Sequence, residues 1–112
     1  MDPLNLIETK PGNYSLLLTA GSTPVDAVIE ELGHEPNGYF WEGVAQLLVR
    51  AEAPHLRGKF GYDPEAGMFC AYGTDRSALE ELATHMVPVA TDAARARLLV
   101  TTAEAEGFTF DD

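Results

Sequence analysis

The chain has 112 residues, enough for one domain with its own hydrophobic core and too few for two ordinary ones. Hydrophobic residues make up 46% and charged residues 22%, a globular balance that excludes wholesale disorder. Seven Lys and Arg against eighteen Asp and Glu give a net charge of −11, a field that repels nucleic acid and anionic membranes and attracts basic partners.

Cys70 is the only cysteine, so no internal disulfide forms and no oxidising compartment is implied. Met1-Asp2-Pro3-Leu4 lacks the basic and then apolar run of a signal peptide. No stretch approaches the roughly 18 apolar residues of a membrane span, and the expected compartment is the cytoplasm.

In chain order, Leu4 to Glu8 reads as a short strand and Lys10-Pro11-Gly12-Asn13 as a turn. Tyr14 to Thr19 is a second, buried strand antiparallel to the first. Ser22-Thr23-Pro24 opens a helix whose apolar face is Val25, Val28, Ile29 and Leu32, with Gly33 closing it. After a loop, a second helix runs from about Phe40 to Glu52, with Trp41, Val44, Ala45, Leu48 and Ala51 inward. Pro54 ends it. Lys59 to Tyr62 is a third strand, Asp63 to Gly67 a turn, and Met68 to Tyr72 a fourth strand. Asp75 caps a third helix that carries Leu79, Leu82, Ala83 and Met86 and is limited by Pro88. Thr91 or Asp92 opens a fourth, with Leu98, Leu99 and Thr102 together, and Gly107 closes it.

The order is ββαα-ββαα, and a shift of about 52 residues lays Leu17 on Phe69 and Gly21 on Gly73. The repeated order predicts an α+β fold. Its two hairpins join in one largely antiparallel four-stranded sheet, and the helices pack on one face. Each hairpin feeds its own helix pair, which suggests an approximate two-fold arrangement. Strand order is left open.

The search for chemistry returns little. His34-Glu35 lacks the second histidine that a zincin helix needs, because Gly38 stands there. His34, His55 and His85 fall in different elements without ligand spacing, so neither a metal nor another cofactor is expected. Cys70 sits mid-strand and reads as a buried structural thiol. Asp63 and Glu65 invite an acid/base reading, but Asp-Pro in a turn has a conformational reason of its own. There is no phosphate loop, no basic-aromatic stripe for nucleic acid and no basic amphipathic helix for a membrane. Binding is therefore expected rather than catalysis. What remains is Gly33 to Glu42, where Trp41 is in phase with the core while Glu35, Asn37 and Tyr39 are expected on the surface.

Two segments carry a resemblance: Gly33-His34-Glu35-Pro36-Asn37-Gly38-Tyr39-Phe40-Trp41-Glu42-Gly43-Val44-Ala45, and Phe60-Gly61-Tyr62-Asp63-Pro64-Glu65-Ala66-Gly67-Met68-Phe69-Cys70-Ala71-Tyr72. They resemble the immunity protein fifty-one family of bacterial polymorphic toxin systems. Its pattern is an N-G-Y-x-W-E helix opening followed by an F-D-P-E-x-x-M-F-C-A-Y hairpin. Tyr62 replaces the phenylalanine expected before Asp63, and the resemblance runs roughly from Tyr14 to Met86.

The resemblance implies a single cytoplasmic α+β immunity domain that binds and blocks a cognate toxin domain. Nuclease toxins present basic, phosphate-binding surfaces, which a −11 partner could occupy as a polyanion substitute. The candidate contact set is Glu35, Asn37, Tyr39, Glu42, Asp63 and Glu65, provided the Gly33–Glu42 loop and the Asp63–Gly67 turn are neighbours in space. Two other readings stay open. One is a small-ligand or enzymatic domain with a pocket near Asp63 and Cys70; the other is a scaffold that self-associates through a strand edge. The sequence leaves the oligomeric state unassigned.

Overall fold

The computed structural model describes residues 1–112. Strands β1 (Leu4–Lys10) and β2 (Asn13–Thr19) form one hairpin, β3 (Gly61–Tyr62) and β4 (Met68–Gly73) the other. Helices α1 (Asp26–Glu31) and α2 (Gly38–Glu52) follow the first; α3 (Arg76–Thr91) and α4 (Ala93–Ala105) follow the second. The sheet order is β1-β2-β4-β3 and every pairing is antiparallel. The second strand of each hairpin thus sits at the centre, the two-fold topology that the repeated order predicts. The symmetry stops at topology: β1 has seven residues and β3 two, while α1 has six and α3 sixteen.

Alternation along the strands decides which face is covered. Leu4, Leu16, Leu18, Phe69 and Ala71 point to one side and are buried there beneath α2 and α3. Asn5, Ser15, Leu17, Cys70 and Tyr72 point to the other, and no helix covers it. α4 packs on α1 and α3 instead of on the sheet. The core is a single cluster in which Trp41, Phe40 and Phe69 are the largest fully buried side chains.

Caps fix the long helices. Asn37 accepts the Phe40 N–H at 2.9 Å, Asp75 the Ala78 N–H at 3.1 Å, and Asp92 the N–H groups of Ala94 and Arg95. α2 therefore opens two residues before Phe40.

Several local expectations are corrected. α1 begins at Asp26, because the Thr23 hydroxyl accepts the Val25 N–H and holds a turn in front of the helix. β3 shrinks to Gly61–Tyr62, because a 3₁₀ turn at Pro54–Leu56 and Gly58 at φ +80° bend the preceding chain. Pro88 does not end α3. It is exposed, as is Thr84, whose carbonyl it leaves without its helical amide partner, while Val89 and Ala90 bury the next turn. In α4 the inward face is Ala96, Val100 and Ala103, whereas Leu98 is 60% exposed.

Residues 108–112 fold back over the helices. Phe110 is buried and stacks on Phe40 with centroids 4.9 Å apart. Asp112 accepts hydrogen bonds from His34 Nδ1 at 2.9 Å and from the Glu35 N–H at 2.7 Å. Glu104 meets His34 Nε2 at 3.1 Å, so both ring nitrogens face carboxylates.

Candidate partner-binding site

The loop before α2 and the β3–β4 turn are neighbours, and Gly38 is what joins them. Its N–H donates to the Ala66 carbonyl at 3.1 Å. A Cβ there would lie 1.9 Å from the Glu65 carbonyl oxygen and 2.3 Å from that of Met68, so no larger residue fits. Glu65 and Met68 exchange backbone hydrogen bonds of 2.8 and 3.1 Å, which closes the turn against the helix start. Asp63 is held by its N–H to the Cys70 carbonyl at 3.0 Å.

This joint places the candidate residues on two sides of the turn. Tyr39 is 41% exposed and shares a narrow cleft with Glu42 and Asp111. Glu42 accepts the Gln46 amide at 2.8 Å, and burial, reinforced by the Asp111 charge, pushes its carboxyl up. Asp63 and Glu65 line a separate shallow hollow on the uncovered sheet face, with Leu17, Met68 and Cys70. Glu35 is exposed beside Asp112. Asn37 departs from expectation: it is only 6% exposed, and its carboxamide oxygen is occupied as the α2 cap. A polar residue just before a helix serves equally as cap or surface, and here the cap takes it.

The sequence reading missed the uncovered sheet face as a surface. Leu17, Met68, Cys70 and Tyr72 lie on it, with Ile7 at the neighbouring edge and Tyr72 48% exposed across Gly61. The signal was present in the register: Ser15 and Leu17 alternate with Leu16 and Leu18, so one of the two sets had to face away from the helices. Residues 108–112 were missed too, although Phe108-Thr109-Phe110 alternates.

Cys70 belongs to this outer face and not to the core, because its strand neighbours Phe69 and Ala71 take the inward positions. Burial raises its thiol, the Asp63 charge adds to the rise, and a Ser15 hydrogen bond opposes it. A thiol held in its protonated form is a poor nucleophile. Tyr62 is likewise pushed up to about 12 by burial and by Glu42. His34, His55 and His85 each pair with carboxylates, and no group of three or more His, Cys, Asp or Glu side chains is placed to hold a metal ion. No helix is long and apolar enough to cross a membrane.

Fold and surface together define a small acidic α+β protein with an acid-rimmed edge where α2 meets the β3–β4 turn. The chain belongs to the Immunity protein 51 family, whose model matches residues 4–105. The match extends past both motif segments to include β1 and all of α4. No curated protein and no solved structure matches the chain.

Proposed function

We propose that this chain binds the toxin domain of a polymorphic toxin system in the cytoplasm of the producing cell and neutralises it by covering the toxin's active site. The observation that carries the reading is family membership over residues 4–105. The joint at Gly38 supports a location for the contact. It holds Tyr39 and Glu42 on one side of the β3–β4 turn and Asp63 and Glu65 on the other, an arrangement of carboxylates beside an exposed aromatic that suits a basic toxin surface. A nuclease fits this charge pattern, since its substrate is itself a polyanion. The mode of action is occlusion rather than catalysis.

The test is protection from the cognate toxin expressed in the same host, together with the affinity of the purified complex. Combined charge reversal at Glu35, Glu42 and Glu65 is expected to weaken binding on the order of 100-fold and to abolish protection. Unchanged binding by that triple variant would place the contact elsewhere on the surface.

A further inference from the structure

We infer that the groove along the exposed side of α2 is a dipolar docking channel for a short extended segment of the toxin. That segment carries a basic side chain at one end, an apolar one in the middle and an acidic one at the other end. The inference rests on the toxin-binding reading above and specifies how part of the partner is recognised.

Tyr39, Glu42, Gln46 and Arg50 recur three or four residues apart and so lie along one helix face. Folded-back residues 108–111 wall one side. They pack closely enough that a Cβ on Gly43 would come within 2.8 Å of the Phe110 ring. Phe60 and Tyr62 wall the other side. Gln46 and Phe108 line both a cleft of about 50 Å³ at Glu42 and a wider hollow of about 260 Å³ at Arg50 and Arg57. The two adjoin at Gln46 and Phe108, in line along α2.

The charges left over in this channel carry the argument. Arg76, Arg95 and Arg97 each have a carboxylate partner. Arg50 and Arg57, like Lys10 and Lys59, have none within 4.0 Å, and the two arginines are the ones that line this hollow. Arg50 instead lies over the Phe108 ring, 5.7 Å from its centroid, and Glu106, which borders a different hollow beside Leu47 and Leu99, does not pair with it. At the opposite end, Glu42 and Asp111 face the same cleft with no cation between them. A channel with unpaired charges of opposite sign at its ends and aromatic rings between them matches a peptide that is basic at one end, apolar in the middle and acidic at the other. It does not match a polyanion or a purely basic surface, either of which would satisfy one end and be repelled by the other. Glu42 and Arg50 are eight positions apart, about 12 Å along a helix, which an extended chain spans in roughly four residues.

The measurement is equilibrium affinity and dissociation rate of the purified complex with the cognate toxin domain. The variants are Arg57→Glu, Arg50→Glu and Glu42→Gln, with Lys10→Glu as a control at the end of β1. Arg57 has no side-chain hydrogen bond or ion pair within the chain, so its variant keeps the fold, and an unchanged unfolding midpoint verifies this. Long-range attraction to a basic toxin alone predicts that Arg57→Glu and Lys10→Glu, which alter net charge equally, bind as tightly as wild type or tighter. The channel predicts the opposite sign for one of them: Arg57→Glu dissociates at least tenfold faster while Lys10→Glu does not, and Glu42→Gln weakens binding from the other end. Arg57→Glu and Glu42→Gln both binding within twofold of wild type would overturn the channel. Failure of the wild-type protein to bind the toxin at all would overturn the proposed function, and the channel with it.

Discussion

Replacing Gly38 by alanine tests the joint on which the site depends. The new methyl would stand 1.9 and 2.3 Å from two carbonyl oxygens and 2.7 Å from the Met68 carbonyl carbon. All three are backbone atoms, so no rotamer change relieves the overlap and the 63–67 turn must move off α2. Overpacking of this kind costs about 1–3 kcal/mol. The Gly38 N–H to Ala66 bond stretches with it, for about another 1 kcal/mol, and alanine's better helix propensity returns less than about 1 kcal/mol at the first helical position. The net expectation is a loss of about 2–3 kcal/mol. With a urea slope near 1.5 kcal/mol/M, the unfolding midpoint falls by roughly 1.3–2 M. Gly21→Ala is the matched control. Its φ is +80° and nothing lies within 4 Å of the added Cβ, so only left-handed backbone strain of about 1 kcal/mol applies. A Gly38→Ala midpoint no lower than that of Gly21→Ala would refute the packing argument.

Two further outcomes follow from the energetics of single contacts. Burial alone would lower the His34 imidazole, but hydrogen bonds and charge from Asp112 and Glu104 outweigh it and raise it above its ordinary 6.5. For Asp112 burial acts upward, and the His34 and Glu35 hydrogen bonds bring the net result below 3.8. A raised histidine contributes stability that is complete below pH 6.5 and lost as pH rises through the folded value. A lowered carboxyl contributes above pH 3.8 and loses it as pH falls through the folded value. The stability gap between wild type and His34→Gln should therefore be widest between those two values, and a gap constant from pH 3 to 9 would refute a stabilising His34–Asp112 pair. In α4, Val100→Ala is expected to cost about 2 kcal/mol and Leu98→Glu under about 0.5 kcal/mol. The reverse ranking in thermal unfolding would show the helix turned the other way.

Elements bounded by local punctuation were legible in the sequence. β2 and β4 are short apolar runs between turn residues, and Asp75 and Asp92 announce their helices by cap chemistry that needs no tertiary context. Errors arose where packing overrides a local rule. Pro88 continues a helix because its exposed side tolerates a missing bond and its buried neighbours favour continuation. Leu98 and Leu99 drew the reading of α4 toward the wrong face. Close approach of helices selects small residues, so Ala96 and Ala103 are buried beside Val100. The His34–Asp112 contact links residues 78 positions apart and leaves no periodic trace. In the candidate site, the proximity of loop and turn was an explicit condition, and the Gly38–Ala66 bond meets it. Asn37 was misplaced because capping and surface display draw on the same residue type.

The two motif segments serve the fold and the surface at once, and periodicity is the reason. Along α2, Phe40 and Trp41 turn inward while Tyr39 stays exposed; along β4, Phe69 and Ala71 turn inward while Cys70 and Tyr72 face out. Gly38 and Asn37 belong to the inward set, since one lets the turn dock and the other caps the helix. The energetic consequences separate accordingly. A change at the joint costs about 2–3 kcal/mol by the estimate above, a large share of the 5–15 kcal/mol that holds a domain together. Exposed positions such as Tyr39, Asp63 and Glu65 accept substitution within about 0.5 kcal/mol. One scaffold can therefore present different charges and rings along this edge at little cost in stability, which is what a protein matched to one toxin among many would need.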